Sequence, residues 1–124
     1  MKGVRRLLPM EPAAFRERVV LILGNPVEFL GAGFDDIVRS LTPGVEERLF
    51  SWLERVAARK EKGMAPDAGY RGYAWHQLLI FRFPFSLESG RHRVLVVKVK
   101  NARYVEFHLG GHQYYDEVRS RLGV

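Results

Sequence analysis

Basic and aromatic side chains are interleaved through the C-terminal part of the sequence. The basic side chains are Arg82, Arg91, His92, Arg93, Lys98, Lys100 and Arg103, the aromatic ones are Phe81, Phe83, Tyr104 and Phe107, and His112, Tyr114 and Tyr115 follow. Cations hold phosphate groups, and aromatic rings can stack on unpaired bases. Cleavage of RNA by its own 2′-hydroxyl needs a base, a cation at the phosphate and an acid, and histidine suits either proton-transfer role near neutral pH. The set is therefore compatible with a ribonuclease, although it is not specific to one.

Some of these side chains fit a structural role better than a chemical one. We expect the three phenylalanines of the set to lie in the hydrophobic core, because large apolar side chains of strands are usually buried. A functional role is favoured for Lys98 and Lys100. Both share one strand face with His92, and a row of cations costs repulsion unless an anion or solvent offsets it.

The positive charge of the chain is concentrated in its C-terminal part. Residues 1–56 have eight basic and eight acidic side chains, whereas residues 57–124 have twelve and six, so the second part holds the whole net charge of +6. A one-sided positive field favours a polyanionic partner such as nucleic acid. Arginine-rich chains can also be basic without binding anything, so charge alone does not define the function.

Several signatures of cofactor and metal chemistry are missing from the sequence. It has no glycine-rich phosphate loop, zinc-ligand spacing or nucleophile elbow, so we expect no cofactor. His76, His92, His108 and His112 belong to separate predicted elements, and we expect no metal site because metal ligands must converge. The absence of cysteine excludes disulfides and thiolate metal sites, and it favours a reducing compartment.

No segment of the sequence is suited to crossing a membrane. The longest uninterrupted apolar run is the five residues from Val19 to Leu23, whereas a membrane-spanning helix needs about 20. The basic N-terminus is followed by Glu11 and by the charged run from Arg16 to Arg18, which interrupt any signal-peptide core. We therefore expect a cytoplasmic protein without a membrane partner.

The elements that position these residues follow from turn signals and hydrophobic spacing. Residues 15–23 suit a helix or a strand, and the sequence does not decide between them. A short first strand is expected at residues 27–29. Apolar residues recur at helical spacing from Phe34 to Leu41, and the Thr42-Pro43 pair then provides an N-cap and a first helical position. The second helix is expected to continue to Gly63 and to form a hairpin with the first.

The second half of the sequence predicts strands followed by a helix. Aromatic and β-branched residues are enriched in three segments, Tyr73–Phe83, His92–Lys100 and Arg103–Leu109. The helix predicted for His112–Leu122 directs Val118 and Leu122 inward. The fold class is therefore α+β, with a helical hairpin packed on a small antiparallel sheet of about four strands and a short C-terminal helix. The hairpin covers one face of the sheet, and the other face is left for function.

Two sequence segments resemble a known toxin superfamily. They are residues 91–99, Arg-His-Arg-Val-Leu-Val-Val-Lys-Val, and residues 110–116, Gly-Gly-His-Gln-Tyr-Tyr-Asp. Together they resemble the HigB-type branch of the RelE/ParE superfamily, which has a Tyr-Arg-Leu-type strand and a Gly-Thr-His-x-x-Tyr-Asp ending. Here Gly111 replaces the threonine and His92 replaces the aromatic residue. The likeness covers about residues 26–122, so we divide the chain into an N-terminal extension (1–25) and a RelE-like toxin domain (26–124).

The resemblance implies roles for individual residues. Arg93 matches the sheet arginine that contacts the scissile phosphate, and His112 and Tyr115 match a pair that orients or exchanges protons. Asp116 matches the acidic residue that follows this pair, and His76 is a weaker candidate for proton transfer. We assign RNA binding to Arg82, His92, Lys98, Lys100 and Arg103.

The function implied by this resemblance is that of a toxin of a type II toxin-antitoxin system. Such a toxin is an endoribonuclease that cleaves mRNA, often on the ribosome, inhibits translation and is silenced by an antitoxin protein covering its basic face. An acidic or amphipathic antitoxin segment would suit that face.

Two alternatives and the oligomeric state stay open at the level of sequence. One alternative is a non-catalytic RNA- or protein-binding module of the same fold. The other is a ParE-like gyrase poison, against which the His112 and Tyr115 motif speaks. A homo-oligomer is equally compatible with the sequence.

Overall fold

The helices and strands follow the order expected from the sequence. The computed structural model describes residues 10–24, 27–66, 77–84, 87 and 92–124. In these ranges the elements are α1 (Pro12–Leu23), β1 (Glu28–Leu30), α2 (Phe34–Ser40), α3 (Pro43–Ala57), β2 (Leu78–Arg82), β3 (His92–Val99), β4 (Tyr104–Gly111) and α4 (His112–Leu122). The predicted α+β class is confirmed, and the segment whose type the sequence left open is a helix. No helix within these ranges is both long enough and apolar enough to cross a bilayer.

Helix α3 begins where the sequence predicts and ends earlier. The Thr42 side chain accepts a hydrogen bond of 3.3 Å from the backbone N–H of Val45, and Pro43 occupies the first helical position. The helix ends at Ala57, and Arg59 then adopts a left-handed conformation with φ 61°. The predicted stop at Gly63 is therefore wrong. The apolar stripe ends at Val56, so further helical turns would bury nothing.

The four strands form one mixed sheet with the order β1-β4-β3-β2. β2, β3 and β4 are antiparallel neighbours as predicted, whereas β1 pairs with β4 in parallel. Short turns enforce antiparallel pairing only between strands that follow each other, and two helices separate β1 from β2. The predicted strand beginning at Tyr73 lies partly outside the described residues, which resume at Gln77.

One face of the sheet is covered by α1, α2 and α3, which we call the helical layer. Phe15 of α1 is fully buried there, and its ring centroid lies 6.0 Å from that of Phe34, 5.4 Å from that of Phe50 and 5.9 Å from that of Phe107. Rings from α1, α2, α3 and β4 thus meet in one cluster. Helix α1, although it precedes residue 26, shares its hydrophobic core with the elements that follow.

The opposite face of the sheet is covered by α4. Its buried side chains Tyr115, Val118 and Leu122 form a second core with residues of the sheet, which are Leu78, Ile80, Leu95, Val97 and Val105. The inward orientation predicted for Val118 and Leu122 is confirmed. The expectation that this face is left open is wrong, because its alternate strand residues are apolar and need a cover.

Candidate functional site

Three arginines surround the ring of Tyr115 at the edge of the second core. Arg82 comes from β2, Arg93 from β3 and Arg119 from α4, and we call them the arginine cluster. Their guanidinium carbons lie 5.9, 5.9 and 5.8 Å from the centroid of the Tyr115 ring. Cations at this distance from an aromatic face are attracted by its negative potential. One buried tyrosine therefore gathers three positive charges from three elements.

Regular secondary structure places these side chains together. Arg82 follows the buried Ile80 by two residues on β2, and Arg93 precedes the buried Leu95 by two residues on β3, so both face α4. Arg119 follows Tyr115 by four residues and lies on the same side of α4. The Arg82 Nε donates a hydrogen bond of 2.8 Å to the Tyr115 hydroxyl, which fixes the Arg82 guanidinium.

The arginine cluster lacks Asp and Glu side-chain partners in the part of the chain that the structure describes. No Asp or Glu side chain there forms an ion pair with any of the three guanidinium groups. The Nε of Arg93 is buried without a hydrogen-bond partner, and the Nε of Arg119 donates to the backbone oxygen of Val124 at 3.1 Å. A buried donor left unsatisfied costs about 1–3 kcal/mol. A bound phosphate would offset the repulsion between the three guanidinium groups and accept hydrogen bonds from several of their N–H groups at once.

The predicted catalytic residues are brought together only in part. Arg93 and Tyr115 meet, as the ring distance shows. His112 is exposed as the first residue of α4, two positions after Gly110, which is the cross-strand partner of Arg93. Asp116 is exposed on α4 next to Tyr115 in sequence, and His76 lies outside the described residues.

Lys98 lies on the other face of the sheet from the arginine cluster. It is only 9% exposed, and its Nζ lies 5.2 Å from the ring centroid of Tyr104. The Tyr104 hydroxyl donates to the backbone oxygen of Val56 in α3 at 3.2 Å. Lys98 therefore packs under the helical layer and is not joined to the arginines.

The other predicted RNA-binding residues also lie apart from the cluster, with the exception of Arg82. His92 is half-buried and shares a strand face with Val94 and Val96, which face the helical layer. Lys100 and Arg103 are exposed in the β3–β4 connection, at the far end of β3 from Arg93. The core positions predicted for the phenylalanines are confirmed, since Phe81, Phe83 and Phe107 are 5%, 3% and 0% exposed.

A second polar group beneath α4 was not predicted from the sequence. His108 Nε2 lies 2.7 Å from Glu106 Oε1, and His108 Nδ1 lies 2.7 Å from the Tyr114 hydroxyl. Glu106 and His108 are two residues apart on β4, so both lie on the face toward α4. The sequence signal that could have indicated this group is a glutamate and a histidine two residues apart in a predicted strand. Its link to Tyr114 depends on how α4 docks, which the sequence does not state.

The protonation of this group follows from its partners. Burial raises the pKa of the Tyr114 phenol, Arg121 opposes that rise, and Glu106 and Glu28 add to it. Tyr114 therefore keeps its proton at neutral pH, and its hydroxyl can donate to Nδ1 of a neutral His108. The Nε2–H of His108 in turn donates to the Glu106 carboxylate, which assigns the tautomer from the hydrogen-bond network.

Comparisons with other proteins add no family assignment. The chain matches no protein-family model, no curated protein and no solved structure. Within the described ranges, no group of three or more His, Asp or Glu side chains is arranged to hold a metal ion. The groups that could support chemistry are the arginine cluster, His112 and the group around His108.

Proposed function

We propose that this protein is an endoribonuclease of the RelE/HigB toxin type, which holds an RNA phosphate on the arginine cluster and cleaves the adjacent phosphodiester bond. One observation carries the proposal. Three guanidinium groups from β2, β3 and α4 lie 5.8–5.9 Å from a single tyrosine ring, and no Asp or Glu side chain of the described residues pairs with them. Planar, permanently charged donors suit the oxygens of a phosphodiester.

RNA suits this cluster because RNA carries its own nucleophile. The protein then has to stabilise the charge on the phosphate and move two protons, one from the 2′-hydroxyl and one to the leaving 5′-oxygen. Arg93 is the central member of the cluster, since its strand lies between those of Arg82 and Gly110. The exposed His112, just beyond Gly110, is the candidate acid for the leaving oxygen.

The proposed partners follow from the same charge distribution. The substrate is mRNA, with the ribosome as the place of action, and the compartment is the cytoplasm. An antitoxin protein with an acidic segment would neutralise the arginine cluster and exclude RNA from it. The excess of six basic side chains in residues 57–124 supports a polyanionic substrate and an acidic inhibitor alike.

A non-catalytic RNA-binding module is the second candidate. Tyr115 favours it, because this side chain is only 6% exposed and its hydroxyl is already bonded to Arg82. A hydroxyl held in this way orients an arginine and is poorly placed to exchange protons with a substrate. If no other group supplies a base, the cluster would bind RNA and leave it intact.

The proposal is tested with Arg93→Ala and the control Arg39→Ala in the full chain. Arg39 is an exposed arginine of α2 that lies 3.6 Å from Asp36 and 3.8 Å from Glu11. Its replacement changes the net charge by the same amount and leaves the arginine cluster intact. A 5′-labelled single-stranded RNA is incubated with each variant, with and without ribosomes. We expect Arg93→Ala to cleave at least about 100-fold more slowly, as when a donor to a developing anion is removed.

RNA binding provides the second measurement for the same variants. Loss of one phosphate contact should reduce the slope of log affinity against log salt by about 0.7 for a single strand. Arg39→Ala should keep both the wild-type slope and the wild-type rate, and circular dichroism checks that each variant is folded. Equal cleavage by the two variants would show that Arg93 is misassigned.

The wild-type outcome separates the candidate functions. Salt-sensitive RNA binding without any product would support the binding module. Induced expression that stops growth and leaves mRNA intact by primer extension, while DNA breaks accumulate, would support the gyrase poison. Cleavage of RNA in both the purified assay and the cell would support the endoribonuclease.

A further inference from the structure

His108 is a buried histidine with both ring nitrogens engaged. It is 3% exposed, and its contacts with Glu106 and Tyr114 are each 2.7 Å long. A hydrogen-bonded series of carboxylate, imidazole and hydroxyl is the arrangement by which hydrolytic enzymes activate a hydroxyl group. In such a series the carboxylate holds the imidazole in one tautomer and stabilises its protonated form.

The direction of the hydrogen bonds determines which way a proton can move. In neutral His108, the Nε2–H donates to Glu106 and the unprotonated Nδ1 accepts the hydrogen bond of the Tyr114 hydroxyl. A second hydroxyl that approached Tyr114 could donate to the phenol oxygen. The Tyr114 proton would then pass to Nδ1, and the resulting imidazolium would lie beside the Glu106 carboxylate.

Tyr114 lies between Gly110, the strand partner of Arg93, and His108. Its ring packs directly on Gly110, where an added Cβ would lie 2.5 Å from the ring. Gly110 pairs with Arg93 across β3 and β4, and His108 lies two residues before Gly110 on the same face of β4. The base of the Tyr114 ring therefore lies over the strand partner of Arg93, and its hydroxyl lies at the buried imidazole.

We propose that Glu106, His108 and Tyr114 form a proton relay that acts as the general base in RNA cleavage. This inference rests on the proposed endoribonuclease function. The 2′-hydroxyl proton moves to the Tyr114 oxygen as the O2′–P bond forms, and the Tyr114 proton moves to Nδ1 of His108. The P–O5′ bond breaks, and the 5′-oxygen takes a proton from His112, which gives a 2′,3′-cyclic phosphate and a 5′-hydroxyl. Tyr114 is the catalytic residue, and His108 and Glu106 are positioning residues.

The surroundings of His108 include space for water. A cavity of about 60 Å³ is lined by Leu30, Glu106, His108, Val118, Arg121 and Leu122. A water needs roughly 10–15 Å³ of such space, so the cavity can hold water in contact with the relay. The charged groups around it are Glu106 on β4, Arg121 on α4 and Glu28 on β1, whereas β3 presents the apolar Leu95 opposite His108.

The relay is tested first with Tyr114→Phe and the matched control Tyr104→Phe. Each change removes one phenolic hydroxyl with one hydrogen bond, and Tyr104 lies on the other face of the sheet, where it bonds to Val56. With the labelled RNA, Tyr114→Phe should lower kcat by about 10² to 10³ and leave KM within about twofold, as for loss of an acid-base group. Tyr104→Phe should keep the wild-type kcat. Equal kcat values for the two variants would overturn the relay.

Glu106→Gln tests the positioning role through the pH profile of kcat. Glutamine keeps an oxygen for Nε2–H but removes the charge that stabilises the imidazolium, so the acid limb of the profile should move to lower pH and the plateau should fall. An effect on folding alone would lower the amount of active enzyme without moving the limb. An unmoved limb would therefore contradict the relay.

The wild-type protein separates failure of the relay from failure of the proposed function. If wild-type protein cleaves RNA and Tyr114→Phe cleaves it equally well, the endoribonuclease stands and the relay is rejected. If wild-type protein binds the RNA and forms no product on ribosomes or off them, both proposals fall.

Discussion

The two faces of the sheet carry different kinds of side chains, although the same strands build both. Toward the helical layer, β3 directs Val94 and Val96 into a core of closely packed aromatic rings. Toward α4, the same strand directs Arg93 next to the apolar Leu95. Because successive residues of a strand alternate between faces, stability and chemistry can be supplied by neighbouring positions. The face under the helical layer holds the fold together, and the face under α4 concentrates polar groups.

The largest loss of stability is expected from a substitution in the aromatic core under the helical layer. Phe107 is fully buried, with ring centroids of Phe15, Phe29 and Phe34 at 5.9, 5.7 and 6.2 Å. Phe107→Ala should lower the free energy of unfolding by about 3–5 kcal/mol, because both burial and ring contacts are lost. Urea unfolding measures this change. A loss below about 1 kcal/mol would show that the helical layer is not the main source of stability.

An intermediate loss of stability is expected at Tyr115, on the opposite face of the sheet. Tyr115→Phe keeps the ring that the arginines surround and removes the hydroxyl that bonds to Arg82 at 2.8 Å. The free energy of unfolding should fall by about 1 kcal/mol. RNA cleavage should fall several-fold, because the Arg82 guanidinium loses its fixed orientation. Wild-type cleavage by a folded Tyr115→Phe protein would contradict an orienting role for this hydroxyl.

The smallest loss of stability is expected at the start of α3, which lies on the other face of the sheet from the arginine cluster. Thr42→Ala removes an N-cap bond of 3.3 Å and should cost about 0.5–1 kcal/mol of stability. Its cost is close to that of Tyr115→Phe, so it serves as the stability-matched control. Thr42→Ala should cleave RNA at the wild-type rate when this variant and the wild-type protein are measured well below their melting temperatures. A parallel loss of cleavage in both variants would mean that the two faces are not functionally distinct.

Local patterns predicted most elements of the fold, although they left the type of α1 open and placed the end of α3 too late. The helical spacing of α2 and α3, the Thr42 cap and the three antiparallel strands depend on neighbours in sequence, and the structure has all of them. The parallel pairing of β1 with β4 was not predicted, because no short turn joins them.

The candidate site was harder to predict because it depends on contacts between distant elements. Alternation shows which residues share a strand face, but not which element covers that face. Lys98 was therefore expected at an exposed RNA surface, whereas it is buried beside Tyr104. Arg119 and His108 join the site only through the docking of α4, which a weak helical pattern in the sequence does not specify.

Because Gly110 has no side chain, the first turn of α4 packs directly on the backbone of β4. Tyr114 and Tyr115 are consecutive in that turn, and one faces the imidazole while the other faces the guanidinium groups. A side chain at position 110 would push the first turn of α4 away from β4, while the buried Leu122 would hold the C-terminal end of the helix in place. The Tyr114–His108 contact and the contacts of Tyr115 with the arginines would then be lost together. The glycine at position 110 therefore keeps both sets of contacts in place.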